Sequence, residues 1–561
     1  MAAARHKIIL SQIHGLCQSF FNHFAIWCGI EFREWGIDME RARRYLINAL
    51  ILSGCTLLMR TVSVAFNAFC VNRVGEEGMG LFSLVMSVYT FAVTLATSGV
   101  NLAATRLTAL YFGKGEGRSV RSAMRRCLLY SAFFGALASL LLFLFADFVS
   151  VNFLMEPRAK MSVRALSISL LPLSLCSAFS GYFAAVRRVY KNAISQILEQ
   201  MIKIFACAFL LSLFVPRGVE YACLALVLGG AISETASFIM QLFAYIRDKR
   251  KLTGNGERVP MRAVLDISLP VALSAYVRSG LVTLEHILIP IGLTAFGDPR
   301  ALATYGVISA VALPTVMYPS AFVGAFSSLV IPEVTEFHSA ENKREVSYVT
   351  SRAFYVTLFF SILCAGIFCT FPGDICTAIY GDAEAAVYLR ALAPLMPVMF
   401  LDTVTDSILK GLGKQFYTMC VNIADAGLSA LLVWLLVPRI GIWGYILVIY
   451  ISECVNTVFS IWKLIALVDF RPQLYKWLFG PLLGAVGAAN LSRFVFSVLA
   501  LPLSGFVVVL EFLIFILFYL LICRAIGALS REDVQWIKNI FFKGSNSSSH
   551  KRKNMIKLKA R

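Results

Sequence analysis

Charged residues are scarce in this chain, and long polar stretches are almost absent. Only 15% of the residues are Asp, Glu, Lys or Arg, whereas 58% are hydrophobic and the mean hydropathy is +0.75. Soluble domains usually carry about 25% charged residues, so this composition excludes a chain built from soluble domains. The segments between the apolar runs are short, which leaves no room for a soluble catalytic domain. We therefore expect a protein that is not an enzyme and has no catalytic residues.

Paired cysteine and histidine motifs are also lacking. The 14 Cys are scattered and lie mostly inside apolar runs, as Cys55, Cys207 and Cys364 do. Because they show no metal-ligand spacing, we predict buried free thiols and neither a disulfide framework nor a metal site. No cofactor is expected.

Long apolar runs take the place of polar domains. A run of about 20 residues crosses a bilayer as a helix, and its backbone groups must be hydrogen-bonded within the segment. We find about fourteen such runs, which predicts an all-α integral membrane protein. The predicted spans are 45–71, 79–105, 127–153, 163–186, 192–215, 220–246, 263–294, 302–332, 346–371, 386–410, 416–437, 441–467, 474–498 and 502–526.

Positive charge is concentrated in alternate loops. The net charge of +19 would suggest nucleic acid in a soluble protein, but in a membrane protein loop charge sets the orientation. We therefore expect no nucleic-acid partner and membrane lipids as the surroundings. The positive-inside rule predicts cytoplasmic termini for this multi-pass chain. One loop departs from the pattern, because Arg158, Lys160 and Arg164 lie between the third and fourth spans or at the start of the fourth.

An internal repeat relates two halves of the chain. The segment GYFAAVRRVYKNAISQILEQMIK from Gly181 is matched by SILKGLGKQFYTMCVNIADA from Ser407. Repeats packed about a central cavity are a common plan for secondary transporters, so we predict two six-helix lobes around a cavity and two extra C-terminal helices. The repeat superposes three pairs of polar residues: Gln196 with Asn422, Glu199 with Asp425, and Arg60 with Arg278.

The spans and loops divide the chain into six regions. Residues 1–44 form an N-terminal extension, either an interfacial helix or an upstream segment outside the working protein. The others are an N-lobe (45–247), a basic cytoplasmic linker (248–262), a C-lobe (263–467), helices 13 and 14 (468–526) and a basic cytoplasmic tail (527–561).

Two arginines inside the spans are candidate substrate-binding residues. Arg60 lies about 24 Å along a helix from Arg44, near the membrane middle, and Arg278 occupies the matching position of the seventh span. Arginine suits a pyrophosphate, because its planar group makes bidentate charge-assisted bonds. The alternative is that each arginine pairs with a buried acid, for example Arg278 with Glu285.

Acids and amides inside the spans form a second candidate group. Glu199 and Asp425 could balance the arginines, bind a coupling cation or make structural hydrogen bonds, and the residues leave these alternatives open. We predict that Gln196, Glu199 and Glu285 join the two arginines in binding substrate. We predict that Asp402, Asn422 and Asp425 hold a coupling ion, Na⁺ or H⁺.

Three stretches resemble a known family. They are NRVGEEGMGLFSLVMSVYTFAVTLATSGVNLAATRL from Asn72, GYFAAVRRVYKNAISQILEQMIKIF from Gly181, and ATYGVISAVALPTVMYPSAFVGAFSSLVIPEVTE from Ala303. Over about residues 39–530 the chain resembles the polysaccharide-exporter branch of the multidrug/oligosaccharidyl-lipid/polysaccharide (MOP) flippase superfamily. Within that branch it is similar to the stage V sporulation protein B group, which is related to the lipid II flippase. Many members carry a second positive residue where Asn67 stands here.

The resemblance implies a fourteen-helix bundle in the bacterial cytoplasmic membrane. It implies movement of an undecaprenyl-pyrophosphate-linked sugar, lipid II or a polysaccharide repeat unit, to the outer leaflet by alternating access. Cell-wall or spore-cortex synthesis would be the setting, with cell-wall synthesis enzymes as partners.

Two other functions stay open at this point. A cation-coupled multidrug exporter of the same superfamily would have a cavity of acids and aromatics, with little need for Arg60 and Arg278. A membrane scaffold of an envelope-synthesis complex would transport nothing. A membrane glycosyltransferase is disfavoured, because it would need catalytic acids in a sizeable outer loop and the outer loops are short.

Overall fold

The fold is helical throughout the part of the chain that can be described. A computed structural model describes residues 39–186, 188–250, 252, 254–339, 341–381, 383–469, 473–499 and 505–529. Every regular element in these ranges is a helix, which confirms the predicted all-α class. Twelve of these helices are long and apolar enough to cross a membrane, and the total of fourteen stays a prediction. Most of the N-terminal extension and of the basic tail lies outside the described residues.

The first half of the chain opens with a helix that reverses direction. Helix α1 contains the first predicted span and most of the second, with a non-helical residue at Gly75 (φ 78°, ψ 171°). Phe66 and Phe82 line one cavity, although a straight helix would separate them by about 24 Å. The chain therefore turns back at Gly75, where glycine accepts a positive φ at little cost. The helices of this half are α1 (Met39–Thr97), α2 (Val100–Gly113), α3 (Gly117–Leu144), α4 (Lys160–Ala185), α5 (Val189–Phe214) and α6 (Val219–Lys249).

The second half follows the same plan, with one helix that the sequence did not indicate. This short helix, α11, follows directly after α10. The helices are α7 (Met261–Phe296), α8 (Ala301–Met317), α9 (Ser320–Ser339), α10 (Lys343–Thr370), α11 (Pro372–Tyr380), α12 (Ala386–Gly411), α13 (Gln415–Ile440), α14 (Ile442–Ile465), α15 (Tyr475–Leu499) and α16 (Gly505–Ala525).

Two predicted spans are each split in two. Ser98 and Gly99, both with positive φ, separate α1 from α2, and residues 318–319 separate α8 from α9. Helix α8 also contains a π-helical segment, Val307–Ala312. Each break falls in the second predicted span of its half of the chain. The two halves therefore share the position of this break as well as the pattern of spans.

Each half packs mainly on itself. In the first half α4 packs on α3 and α6, and α5 packs on α6; in the second half α13 packs on α7 and α14, and α9 packs on α12. Helix α1 joins the halves through contacts with α7 and α8, and α15 packs on α16 and α10. The repeated helices α5 and α13 have 26 residues each and begin at superposed positions. We keep the names N-lobe and C-lobe for α1–α6 and α7–α14; the predicted domain boundaries stay predictions.

The basic residues just before α4 and in its first turns are paired with acids. Arg158 Nη1 lies 2.7 Å from Glu77 Oε1, and Lys160 Nζ and Arg164 Nη2 each lie 2.8 Å from an oxygen of Asp147. The hydrogen bond from Lys160 and the charge of Arg164 lower the pKa of the Asp147 carboxyl. These residues therefore tie α4 to the end of α3 and to the turn at Gly75, a structural role that accounts for the basic loop.

Candidate functional site

The two lobes are closed on each other at the end that carries the Gly75 turn and the α7–α8 loop. An added Cβ atom on Gly80 of α1 would lie 2.0 Å from the carbonyl oxygen of Leu302 in α8, and one on Gly306 would lie 2.2 Å from the carbonyl oxygen of Glu76. Only glycine permits so close an approach of two helix backbones. Asn67 Nδ2 adds a hydrogen bond of 2.5 Å to the carbonyl of Ala310.

A cavity of about 380 Å³ lies between the lobes next to this contact. Its walls come from α1, α5 and α6 of the N-lobe and from α8 of the C-lobe, and they are mainly apolar. Five polar side chains line it: Ser63, Asn67, Gln200, Lys203 and Tyr318. The Tyr318 hydroxyl lies 2.9 Å from Thr61 Oγ1, which joins the break between α8 and α9 to α1. Asn67 lacks the positive charge that many members of the family named above carry at this position. Lys203 supplies a positive charge to the same cavity.

Lys203 is a cation inside a membrane-spanning helix. It lies about 21 Å along α5 from Val189, so it is near the membrane middle. It is close enough to Glu199 and Cys70 for electrostatic interaction, yet it makes no ion pair within 4 Å to any residue of the described ranges. An intramembrane lysine without a partner costs about 2.5–3.5 kcal/mol or more. An ionisable residue that is kept inside the membrane at such a cost usually has a functional role.

Arg278 is the second cation of this kind. Its side chain is exposed on α7 and interacts electrostatically with Asp425 of α13, but no ion pair within 4 Å links it to the part of the chain that is described. The alternative pairing with Glu285 is therefore not formed. Glu285 instead lies beside Ser429 of α13 and within electrostatic range of Asp425. Arg60 lies in α1, and its side chain falls outside the described structure.

Acidic side chains of three C-lobe helices come together. Ser452 Oγ donates a hydrogen bond of 2.5 Å to Asp425 Oδ1, and Asn456 Nδ2 donates one of 3.2 Å to Asp402 Oδ2. Glu453 of α14 interacts electrostatically with both aspartates. The structure thus brings Asp402 and Asp425, predicted as coupling-ion residues, into one cluster.

Asn422 belongs to the adjoining part of this cluster. Its Nδ2 donates a hydrogen bond of 3.3 Å to Asp406 Oδ2, and Lys410 Nζ lies 3.6 Å from the same oxygen. The predicted local pair of Asp406 with Lys410 is present, although Asp406 is only 8% exposed. The Oδ1 atoms of Asp402, Asp406 and Asn456 are buried and find no hydrogen-bond partner among the residues described. Oxygen atoms of this kind are the ligands that hard cations prefer.

The N-lobe has its own acid pair. Tyr89 of α1 donates a hydrogen bond of 2.6 Å to Glu234 Oε2, and its hydroxyl lies 2.7 Å from Ser169 Oγ. Glu199 is within electrostatic range of Glu234. Gln196 is exposed on α5, whereas Glu199 is half-buried, so the two side chains face different surroundings despite their spacing.

Three residues of this site were missed from the sequence. Lys203 was visible as a lysine within an apolar run, one turn after Glu199, and this signal was enough to single it out. Tyr89 and Asn456 carried no such signal, because their roles depend on helices that approach them from elsewhere in the chain.

The chain matches two family models. The model described as polysaccharide biosynthesis protein matches residues 45–338, more than half of the chain, and the MatE model matches residues 280–435. Stage V sporulation protein B of Bacillus subtilis (strain 168) is 23% identical over 418 residues, which cover 72% of this chain and 80% of that protein. The lipid II flippase MurJ of the same organism is 22% identical over 410 residues, with 67% and 74% coverage.

A solved structure shares the fold. It shows the lipid II flippase MurJ in an inward closed conformation and superposes with a TM-score of 0.61 at 14% identity, covering 84% of this chain and 98% of that one. These matches confirm the resemblance seen in the sequence. The chain therefore belongs to the polysaccharide biosynthesis protein family of the MOP superfamily, and it is related to stage V sporulation protein B and to the lipid II flippase.

Proposed function

We propose that this protein is a flippase that moves an undecaprenyl-pyrophosphate-linked sugar across the bacterial cytoplasmic membrane. The observation that carries the proposal is the pair of cations near the membrane middle, Lys203 and Arg278, neither of which has an ion pair in the described part of the chain. A pyrophosphate can satisfy both charges. The relatives named above support this substrate class, since one of them is a lipid II flippase.

We propose that the protein works by alternating access, and the way the lobes meet supports this. The contact of Gly80 with Gly306 closes one end of the interface, and by the loop charges this is the outer end. Substrate would enter from the cytoplasmic leaflet, with the headgroup between the lobes and the lipid tail in the bilayer. Separation of the two glycine-bearing helices would then release the headgroup outward. The two lobes can move as units, because each packs mainly on itself.

The membrane potential can drive the outward step. An inside-negative potential favours outward movement of an anion by about 2.3 kcal/mol per charge per 100 mV. A coupling cation can contribute as well. We place it at the C-lobe cluster of Asp402, Asn422 and Asp425, with Asp406 and Asn456 as further oxygen donors. The oxygen atoms of this cluster can coordinate Na⁺, and its carboxylates can bind H⁺.

The multidrug exporter is the second candidate, and the MatE match over residues 280–435 and the C-lobe acids are the observations that relate to it, but the comparisons favour the flippase. A flippase would use the intramembrane cations to bind a pyrophosphate, whereas a multidrug exporter would have little need for them. Complementation of a bacterial strain that lacks its lipid II flippase is the discriminating experiment, with drug susceptibility measured in parallel. We expect growth to be restored and drug susceptibility to be unchanged. Drug resistance without growth would contradict the proposal.

The cellular setting is part of the same proposal. We place both termini in the cytoplasm, since the basic loops before α3 and before α7 then face inward. Lipid-linked precursors are made on the cytoplasmic side in this scheme, so cell-wall synthesis enzymes are the expected partners, and spore-cortex synthesis is one setting. A strain that complements with wild-type protein but not with an Arg278→Ala variant at equal membrane level would show that transport, and not scaffolding, is the required activity.

A further inference from the structure

A smaller cavity lies away from the lobe interface, between α10 and the start of α15. It has a volume of about 250 Å³, and two cations line it, Arg352 of α10 and Lys476 of α15. Both side chains are half-buried. Ser351 and Gln473 line the same cavity, and their hydroxyl and amide groups can donate further hydrogen bonds. Charged and neutral donors around one small space are the set that the oxygens of a phosphate accept.

Aromatic rings complete the wall and position the two cations. Arg352 Cζ lies 5.5 Å from the centre of the Tyr348 ring, and Lys476 Nζ lies 5.4 Å from the centre of the Tyr355 ring. Cation–π contacts of this kind hold a cation in place without removing its charge. The Tyr355 hydroxyl donates a hydrogen bond of 3.1 Å to the carbonyl of Ala528, just after the end of α16. Segments that are far apart in the chain therefore build this cavity together.

The cavity lies at the level where lipid headgroups are expected. Lys476 and Trp477 lie in the first turn of α15, and Trp477 also lines the cavity. In the orientation proposed above, α10 and α15 both begin on the cytoplasmic side, because an even number of predicted spans separates each start from the basic loop before α7. Tryptophan and tyrosine are typical of a membrane interface, and basic pockets between membrane helices on the cytoplasmic side bind anionic headgroups.

Size and place set this cavity apart from the site between the lobes. Its volume of about 250 Å³ is below that of pockets for drug-sized ligands, about 300–1,000 Å³. It can therefore hold a headgroup while the acyl chains of the same molecule stay in the bilayer. It shares no lining residue with the cavity around Lys203, so a ligand bound here is separate from the headgroup of the transported substrate.

We propose that this cavity binds the phosphate diester of an anionic phospholipid, with Arg352 and Lys476 as its charged ligands. Such a lipid joins α15 to α10, and so ties the C-terminal helices to the C-lobe by a contact in which the substrate has no part. The inference goes beyond the proposed function, which uses neither cation. The alternative is that the cations and rings only pack α15 on α10.

Titration of the purified full-length protein, freed of bound lipid in detergent, tests the site. The probe is phosphatidylglycerol, whose headgroup has a net negative charge, and phosphatidylcholine is the comparison without one. Because a ligand that binds the folded state stabilises it, the thermal unfolding temperature should rise with phosphatidylglycerol and not with phosphatidylcholine. Arg352→Gln combined with Lys476→Gln should need about tenfold or more phosphatidylglycerol for the same rise. The matched control is Lys343→Gln combined with Arg344→Gln, which removes two charges from exposed positions at the start of the same helix and should respond as wild type does.

Four results would overturn the inference. An equal response of wild type and the Arg352→Gln, Lys476→Gln variant would leave the cations a packing role. An equal loss in both double variants, or an equal rise with phosphatidylcholine, would show attraction to surface charge or to lipid in general. Displacement of phosphatidylglycerol by millimolar inorganic phosphate would identify a soluble phosphate as the ligand. A loss of undecaprenyl pyrophosphate binding in the cavity variant alone would place the cavity on the substrate path.

A single variant keeps the test decisive if the double variant does not fold. Lys476→Gln leaves α10 unchanged and should still weaken the response to phosphatidylglycerol, whereas a wild-type response would contradict the inference. We expect undecaprenyl pyrophosphate to bind every variant as it binds wild type. The phospholipid site can therefore fail while the proposed function stands, and failure of wild type to bind undecaprenyl pyrophosphate would count against the proposed function alone.

Discussion

Replacing Gly80 by alanine should open the end of the lobe interface that carries the Gly75 turn, which we propose is the outer end. The added Cβ would lie 2.0 Å from the Leu302 carbonyl oxygen and 3.0 Å from the carbonyl carbon, both backbone atoms that cannot rotate away. Forced overpacking of this kind costs about 1–3 kcal/mol. The cost falls only on the state in which α1 and α8 touch. Because 1.4 kcal/mol corresponds to a factor of ten, the population open to the outside should rise about 5- to 150-fold.

A buried reporter cysteine measures this opening. Val307, the residue directly after Gly306 in α8, is 2% exposed, so Val307→Cys in an otherwise Cys-free protein should react slowly with a membrane-impermeant maleimide. Gly80→Ala and Gly306→Ala should both accelerate labelling. Gly230→Ala is the matched control, since its Cβ would meet no atom within 4 Å. Unchanged labelling in both variants at normal membrane level would refute the gate.

Three further predictions concern charge and orientation. Arg278→Ala should weaken substrate affinity about 10- to 150-fold, because a charge-assisted bond contributes about 1.5–3 kcal/mol, and Arg278→Lys should lose less; normal transport by both variants would remove Arg278 from the site. Asp425→Asn, which keeps the size of the side chain beside Ser452, should abolish the response of transport to Na⁺ or pH gradients; an unaltered response would leave Asp425 a structural role. Impermeant labelling should find Asn255→Cys cytoplasmic and Pro299→Cys outside, both exposed positions, and the reverse pattern would overturn the orientation.

Helix positions were largely predictable, whereas breaks in the backbone were not. The predicted spans 192–215 and 416–437 correspond to α5 (Val189–Phe214) and α13 (Gln415–Ile440), because a long apolar run in lipid has no alternative to a helix. The reversal at Gly75 and the breaks before α2 and α9 could not be read in the same way. They depend on which helices cross at those points, and apolar composition is the same on both sides of each break.

The charged residues of the site were predictable as a set, but their partners were not. Asp402 and Asp425 were identified from their position inside spans, yet the groups that contact them, Asn456 and Ser452, lie on α14. Asn422 was expected to act with Asp425 and instead bonds Asp406. Helical spacing relates residues of one helix only, so contacts between helices had to come from the structure.

We propose that the protein moves a lipid-linked pyrophosphate through a site built on intramembrane cations. The most direct measurement is the rate at which the reconstituted full-length protein transfers a fluorescent undecaprenyl-pyrophosphate-linked sugar between leaflets of sealed vesicles. We predict transfer well above that of protein-free vesicles, faster under an inside-negative potential and lost in Arg278→Ala. Transfer no faster than in protein-free vesicles, or transfer unaffected by Arg278→Ala, would contradict the claim.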